Sequence, residues 1–330
     1  MANNPSRRTV AAALLAGLCG LLSAAAAAQN WPARPITLLV GFPAGGTTDV
    51  VARVIGNELA RRLGQPVVIE NRAGAVGTIA VSALQAAAPD GHTLMMLVVP
   101  TVNFFHFYGK KFDYQKDVEP VAEIYDQYNV LVVNPAVAEF ADVHTLPQLI
   151  AKAKANSTGI NYASSGVGSL GHLTMERIAG ATGIRWQHVS YKGAAPAMTD
   201  LLGGQIGVMY ADSQTALPHI RSGKLRAIAV SSEGRQADLP QVPTMAEQGV
   251  SGVVAVPWGG LVAPARTPPA IVDRVSSEIR AILETPEVRD KLRQAGVVPA
   301  YKPAADFGRF MAAESAAWGK VIAERGIKPE

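Results

Sequence analysis

Short runs of apolar residues alternate along the chain with segments whose apolar residues recur at helical spacing. Ile36–Val40 is a continuous apolar run, which predicts a strand buried on both faces. Val51, Ile55 and Leu59 then repeat on one face of a helix, and Gly64 marks its end. Strands at 67–69 and 93–99, with a helix at 78–88 between them, complete a βαβαβ unit, which predicts a parallel sheet.

A second unit of the same kind begins at residue 146. Its predicted helices are 146–155, 172–181 and 196–202, and its predicted strands are 160–163, 186–191, 206–210 and 225–231. From Pro268 onward the chain is mainly helical, and a helix with a single apolar stripe must cover a sheet. We therefore place this C-terminal part back on the first unit.

The predicted fold class is α/β with two lobes, each a mainly parallel sheet flanked by helices, and a ligand cleft between them. Extended segments at 130–135 and 258–264 are the predicted crossings. Lobe 1 is expected to contain residues 29–132 and 259–330, and lobe 2 residues 133–258.

Residues 1–28 have the pattern of a cleaved signal peptide. Arginines at 7 and 8 precede an apolar stretch at 10–22, and the alanines at 26–28 offer an A-x-A cleavage pattern. An N-terminal anchor helix is the alternative, but the apolar stretch is shorter than the ~20 residues that span a bilayer. We expect export to the periplasm with cleavage near Ala28.

Composition narrows the function further. Of the 330 residues, 48% are hydrophobic and 17% charged, which excludes a disordered chain. The formal net charge of +4 comes with no basic run, so no nucleic-acid partner is expected. A single cysteine excludes an intrachain disulfide, and the six histidines show no metal-ligand spacing. We expect neither a metal nor a cofactor.

Two glycine-rich turns carry the candidate chemistry: turn 1, residues 41–49, and turn 2, residues 164–171. Each follows a predicted strand and opens a predicted helix, where open α/β sheets bind ligands. Unpaired backbone N–H groups and the helix dipole converge there on an anion, and glycine lets the backbone approach it. The sequence adds five hydroxyl donors, which are Thr47, Thr48, Ser164, Ser165 and Ser169. A tight connection explains one turn equally well, whereas two matched turns favour a function.

Two further side chains belong to the predicted site. His172 begins the helix after turn 2 and is placed to donate to a bound carboxylate. Asp212 ends a strand near the predicted cleft, where it accepts from a ligand amine or hydroxyl, although a solvated or capping role fits equally well. Asp49 is expected to cap its helix. The aromatic residues at 104–108 predict a loop that packs against the protein or lines the mouth of the cleft.

The usual catalytic motifs are incomplete. Residues 166–171 match G-x-G-x-x-G, but the acid that a dinucleotide site needs ~20 residues later is missing. The phosphate-loop pattern is absent, and no serine lies in G-x-S-x-G. We predict no catalytic residues and a binding protein, with an exported hydrolase or dehydrogenase as the alternative from another class.

Eight segments in order make the chain similar to the Bug family, the extracytoplasmic solute receptors of tripartite tricarboxylate transporters. They are WPARPI at 31–36, GFPAGG at 41–46, LGQPVVIENRAG at 63–74, PDGHTL at 89–94, YASSG at 162–166, HVSYKG at 188–193, GKLRA at 223–227 and PQVPT at 240–244. The resemblance spans essentially the whole chain after residue 30. Ser190 departs from it, because the family usually has proline there.

The resemblance implies a type II periplasmic-binding-protein fold that closes on a small organic carboxylate, with ordered water assisting. It also implies delivery to membrane permease subunits, and we expect a monomer; a ligand sensor with a signalling partner is the alternative. The binding residues expected from the resemblance and the turns together are Phe42, Ala44, Gly45, Gly46, Thr47, Ser164, Ser165, Gly168, Ser169, His172 and Asp212.

Overall fold

The computed structural model describes residues 31–108 and 114–328. Strands and helices alternate in these residues as the sequence predicts. The strands are β1 Ile36–Val40, β2 Val67–Asn71, β3 Thr93–Val98, β4 Val118–Asp126, β5 Asn129–Val133, β6 Ile160–Ser164, β7 Trp186–Ser190, β8 Val208–Asp212, β9 Arg226–Val230, β10 Trp258–Pro264 and β11 Val298–Pro303. The helices are α1 Thr47–Leu63, α2 Thr78–Gln85, α3 Val99–Tyr108, α4 Tyr114–Asp117, α5 Leu146–Ala155, α6 Leu170–Thr182, α7 Ala194–Leu202, α8 Ser213–Arg221, α9 Pro269–Leu283, α10 Pro286–Gln294 and α11 Ala304–Glu324.

The strands form two separate sheets. The first has the order β11-β4-β10-β3-β1-β2, and the second has the order β7-β6-β8-β5-β9. In the first sheet β1 runs parallel to β2 and β3, while β10 runs antiparallel to β3 and β4. In the second sheet β6 runs parallel to β7 and β8, while β5 runs antiparallel to β8 and β9.

Helices cover both faces of each sheet, which explains the continuous apolar runs. Along β1, Leu38 faces one side and packs in one cluster with Ile55 of α1 and Ile279 of α9. The next residue, Leu39, faces the other side and packs in a cluster with Met311 of α11. The C-terminal helices therefore pack on the first sheet, as their apolar stripes predict.

The two-sheet α/β fold is confirmed, but both sheets are mixed rather than mainly parallel. The strands that run against the others are β10 and β11 in the first sheet and β5 in the second. Of these, β5 and β10 are the strands that follow the two crossings between the sheets. The first crossing lies at residues 127–128, since β5 already pairs with β8 and β9. It therefore precedes the predicted boundary at residue 132. The return falls at Trp258, next to the predicted position. The division into lobes stays a prediction.

Some elements were not predicted, among them β4 and α3. Strand β4 carries Glu123, which is fully buried and pairs with Lys302 of β11, so its charge hides the strand pattern. Burial and the nearby Asp126 raise the pKa of Glu123 to about 7, against the opposing effect of Lys302. The predicted aromatic loop is helix α3, and Pro100 lies in its first turn, where proline is tolerated.

The predicted signal peptide at 1–28 lies outside the described residues. Within the residues that are described, no helix combines the length and the apolarity that crossing a bilayer requires.

Candidate functional site

A cavity of about 890 Å³ is lined by residues associated with both sheets. Its walls follow the carboxyl ends of the strands: Phe42 comes after β1, Val99 after β3, Ser165 after β6 and Tyr191 after β7. This is the position where open α/β sheets bind ligands. The lining residues are Phe42, Val76, Val99, Pro100, Gln127, Asn129, Ser165, Gly166, Val167, Gly168, Ser169, Leu170, Gly171, Tyr191, Lys192, Gly193, Ala194, Met209, Tyr210, Asp212 and Pro257.

Turn 2 forms one wall of this cavity. Gly166 and Gly168 have φ values of 133° and 76°, which a residue with a side chain rarely adopts. Ser169 then caps α6, because its hydroxyl accepts the N–H of His172 at 3.3 Å. These two features turn the chain sharply from β6 into α6 and bring the start of the helix to the cavity.

The N–H groups of residues 166–171 in turn 2 divide into two sets. Three are engaged: Gly166 N–H donates to Ser164 Oγ (3.2 Å), Gly168 N–H to His172 Nδ1 (3.1 Å) and Ser169 N–H to the Gly166 carbonyl (3.1 Å). Within the described chain, no hydrogen bond engages the N–H groups of Val167, Leu170 and Gly171. All three residues line the cavity, so turn 2 offers it a cluster of anion donors.

Ser164 and His172 do not line the cavity but make hydrogen bonds to the backbone of turn 2. Ser164 is fully buried, and its hydroxyl donates to the Gly166 carbonyl at 3.0 Å and contacts His188 Nε2 at 2.6 Å. This serine–histidine contact has the length expected of a nucleophile and its base, but the buried hydroxyl does not reach the cavity. His172 is only 6% exposed, and burial together with His188 lowers its pKa to about 3. The ring is therefore neutral, and its Nδ1 accepts a hydrogen bond from Gly168. Donation from His172 to a bound carboxylate stays a prediction.

Turn 1 differs from turn 2. Phe42 lines the cavity, whereas Ala44, Gly45 and Gly46 are exposed and do not. The N–H of Gly45 donates to Asp49 Oδ2 (2.9 Å), and the N–H of Gly46 donates to the Pro43 carbonyl (3.4 Å). Two N–H donors of turn 1 are therefore already engaged within the turn itself.

Asp49 is the internal anion of turn 1. It is 2% exposed and also accepts from Arg53 Nε (2.9 Å) and from Asn71 Nδ2 (2.9 Å). Burial alone would raise the pKa of this carboxyl, but the hydrogen bonds from Arg53, Gly45 and Asn71 outweigh burial and lower the pKa. Asp49 therefore stays ionised at neutral pH.

Thr47 contacts a residue of the second unit rather than the cavity. Its hydroxyl lies 3.4 Å from Oε1 of Gln214 in α8, and Nε2 of the same Gln214 donates to the carbonyl of Ala295. Thr47 begins α1 and Ala295 follows α10, so one glutamine joins two parts of the first unit to the second.

Asp212 and Asn129 lie opposite each other on neighbouring strands, and both line the cavity. Asp212 caps α8 by accepting from Thr215 N–H (2.9 Å) and Thr215 Oγ1 (2.9 Å), so its capping role is present. Asn129 is 7% exposed, and among the described residues its Oδ1 has no hydrogen-bond partner. A buried amide that faces a cavity without a partner is a ready contact for a polar ligand group.

A third strand-to-helix turn, at 191–194, also lines the cavity and was not assigned to the site from the sequence. Gly193, with φ of 118°, precedes α7 and has no side chain to cap it. Lys192 places an exposed ammonium at the same edge. The signal was present, because a strand, a glycine and a helix follow one another there as they do in turns 1 and 2.

Val76 is a second lining residue that the sequence did not reveal. Its φ of 55° is unusual for a β-branched residue, and Thr101 Oγ1 holds its carbonyl at 2.9 Å. Such local strain often accompanies function.

The structure brings five predicted site residues to the cavity and leaves six outside it. Phe42, Ser165, Gly168, Ser169 and Asp212 line it, whereas Ala44, Gly45, Gly46, Thr47, Ser164 and His172 do not. Their roles in binding stay predictions.

Two mixed sheets flanked by helices, with a ligand-sized cavity at their strand ends, are the architecture of periplasmic solute-binding receptors. The sequence model of the tripartite tricarboxylate transporter family receptor, TctC, matches residues 51–327. The chain belongs to this family, and its predicted membership of the Bug group is confirmed. Family and fold are those of solute-binding receptors rather than enzymes.

Individual proteins agree with this assignment. The chain is 37% identical to the protein BugT of Bordetella pertussis over 310 residues, which are 93% of this chain and 94% of BugT. A TctC solute-binding protein from Polaromonas superposes with a TM-score of 0.80 at 28% identity, covering 89% of this chain and 99% of that one. R. palustris Rpa4515, solved with adipate, gives 0.74 at 33% identity and covers 91% and 100%.

Proposed function

We propose that this chain is a receptor that captures a small organic carboxylate in the 890 Å³ cavity and delivers it to permease subunits of a tripartite tricarboxylate-type transporter. The unpaired N–H groups of Val167, Leu170 and Gly171 are the observation that carries the proposal. Three donors without a partner among the described residues, at or next to a helix N-terminus, favour a negative charge, by about 0.3–2 kcal/mol from the dipole alone. Membership of a family of solute receptors also supports the capture of a small ligand.

The remaining lining describes the rest of the ligand. Phe42, Val76, Val99 and Pro100, all from the first unit, give one wall of the cavity an apolar surface. A carboxylate held at turn 2 would therefore extend a carbon chain across that wall, with Asn129 or Lys192 near a second polar group. The adipate bound to Rpa4515, a dicarboxylate with an apolar centre, has this chemistry. The cavity volume falls in the range of about 300–1,000 Å³ that small-molecule sites occupy.

Capture requires the two units to close around the ligand, and the two lobes predicted from the sequence supply the moving parts. The bonds that Gln214 makes to Thr47 and Ala295 hold the units together on one side of the molecule. Ligand contacts from both units would favour this arrangement over an open one. We further propose periplasmic location after cleavage of residues 1–28, and a monomeric receptor.

A thermal-shift screen against adipate, succinate, malate and citrate, followed by calorimetry, tests the proposal. A ligand that binds only the native state adds about 2.7 kcal/mol to the free energy of unfolding at a hundredfold excess over Kd. The melting temperature therefore rises. We expect at least one acid to bind with micromolar or tighter affinity and the corresponding neutral amide not to bind. Equal binding of acid and amide would refute carboxylate capture.

A further inference from the structure

Two imidazoles lie directly beneath turn 2. His172, in the first turn of α6, and His188, in β7, stack with a centroid distance of 3.8 Å and an interplanar angle of 11°. Neither ring lines the cavity. The proposed function does not use them, yet both contact the turn that carries it.

Each ring contacts a different end of turn 2. His172 Nδ1 accepts the N–H of Gly168 at 3.1 Å. His188 Nε2 lies 2.6 Å from Ser164 Oγ, and this hydroxyl in turn binds both the N–H and the carbonyl of Gly166. The pair therefore fixes the glycines on both sides of Val167.

These contacts determine which tautomers are compatible with the fold. A nitrogen that accepts a hydrogen bond carries no proton, so neutral His172 has its proton on Nε2. The hydrogen bond from Ser164 Oγ to the Gly166 carbonyl uses the single hydroxyl proton, so we assign His188 Nε2–H as the donor to Ser164. Two stacked rings at 3.8 Å also disfavour a double positive charge.

We propose that His172 and His188 are positioning residues, which hold turn 2 so that its unpaired N–H groups face the cavity. The inference rests on the proposed function for its consequence, ligand affinity, but not for its geometry. With the N–H of Gly168 bonded to His172, the N–H groups of Val167, Leu170 and Gly171, three residues that line the cavity, are left for a ligand. Loss of the acceptor at His172 releases this arrangement.

The surroundings of the pair limit its titration. Tyr162 of β6 stacks on His188 at 5.1 Å, and its hydroxyl donates to Glu176 of α6, which pairs with Arg325 at the end of α11. Tyr210 and Asp212 are the titratable residues of β8, the other strand packed against α6. The pKa of His172 is lowered from 6.5 to about 3 by burial and by His188. The unfolded chain thus binds the extra proton first, and the stabilisation from neutral His172 is present above pH 6.5 and lost as pH falls toward 3.

The first test needs neither a ligand nor a mutation. ¹⁵N NMR of the imidazoles at pH 7 reports the tautomer of each ring in the intact protein. We expect His172 to be neutral with its proton on Nε2. A His172 protonated on Nδ1 or on both nitrogens overturns the proposal, even if the protein binds a carboxylate as proposed.

The second test separates an acceptor from mere packing. His172→Asn keeps an acceptor oxygen near the position of Nδ1, whereas His172→Leu fills the space without one. With whichever of adipate, succinate, malate or citrate binds most tightly, we expect the leucine variant to bind at least about tenfold more weakly and the asparagine variant within about threefold of the unmodified chain. Circular dichroism is the control that checks whether both variants fold.

Equal losses in the two variants, or none in the leucine variant, would show that the ring only packs. The asparagine variant should also lose less stability than the unmodified chain between pH 6.5 and 4.5, because it has no imidazole to protonate. Identical pH profiles would contradict the titration described for His172. If no acid binds the unmodified chain, the proposed function fails while the tautomer test still decides the geometry.

Discussion

Turns 1 and 2 have the same sequence pattern but use their N–H donors differently in the fold. Each joins a buried strand to a helix through glycines and hydroxyl residues. In turn 1 the chain supplies its own anion, because Asp49 takes the N–H of Gly45 and its helix buries the carboxylate. In turn 2 the corresponding position has no acid, and a neutral His172 takes the N–H of Gly168 instead. Under the proposed function, turn 2 binds an external anion because no internal one occupies it, whereas turn 1 is already occupied by Asp49.

The largest expected effect comes from closing the start of α6. A Cβ at Gly171 would lie 2.9 Å from the backbone oxygen of Tyr210, so Gly171→Ala must shift the helix away from β8 and move its N–H groups. We expect affinity for the best acid of the panel to fall at least tenfold, which corresponds to losing one charge-assisted hydrogen bond of about 1.5–3 kcal/mol.

Gly46→Ala is the matched control in turn 1. The nearest atom to its Cβ would be the Pro43 oxygen at 3.5 Å, an ordinary contact. Calorimetry should show affinity within about twofold of the unmodified chain. A loss comparable to that of Gly171→Ala would mean that both turns hold the ligand.

Removing the internal anion of turn 1 should affect stability and not binding. Asp49→Ala leaves Gly45 N–H, Arg53 and Asn71 without their shared acceptor, and we expect a loss of about 2–3 kcal/mol in denaturant unfolding. Because the native pKa of Asp49 lies below its ordinary 3.8, its stabilisation is present above that pH and is lost as pH falls through the native value. Weaker ligand binding at neutral pH in a folded variant would contradict this division of roles.

A smaller contrast is expected between Ser169→Ala and Thr47→Ala. Ser169 caps α6 at the cavity, so its loss should cost about 1 kcal/mol of stability and about fivefold in affinity. Thr47 makes only a 3.4 Å contact to Gln214, and its loss should leave both quantities nearly unchanged. Parallel melting curves and titrations measure the contrast, and the reverse ranking would place the ligand at turn 1.

The smallest effect is expected at Lys192, whose side chain is exposed at the edge of the cavity and would act on a ligand through water. Lys192→Met should weaken binding by about twofold at low salt, and the difference should vanish in 1 M salt, where the screening length is about 3 Å. A difference that persists at high salt would indicate a direct contact.

The sequence predicted the fold more completely than the site. Apolar runs such as Ile36–Val40 identified the buried strands, since a strand covered on both faces has few polar positions. Strand β4 was not predicted because Glu123 is buried in an ion pair. The residue pattern of one segment does not reveal such a pair. The partner of Glu123, Lys302, is distant in the sequence.

For the site, the sequence located the helix starts but not their contacts. Turn 2 was predicted at the cavity and lies there. Whether a given N–H is available depends on side chains such as Asp49 and His172, whose direction is set by packing. Asn129 and Val76 line the cavity through tertiary placement alone, and nothing local marks them.

The most direct test of the account is to follow backbone amides by ¹H–¹⁵N NMR while adding the acid of the panel that gives the largest thermal shift. Hydrogen bonds to a carboxylate should move the amide protons of Val167, Leu170 and Gly171 strongly downfield. Those of Gly45 and Gly46, already bonded within turn 1, should stay near their starting positions. Large downfield shifts in Gly45 and Gly46, with none in the amides of turn 2, would contradict the central claim.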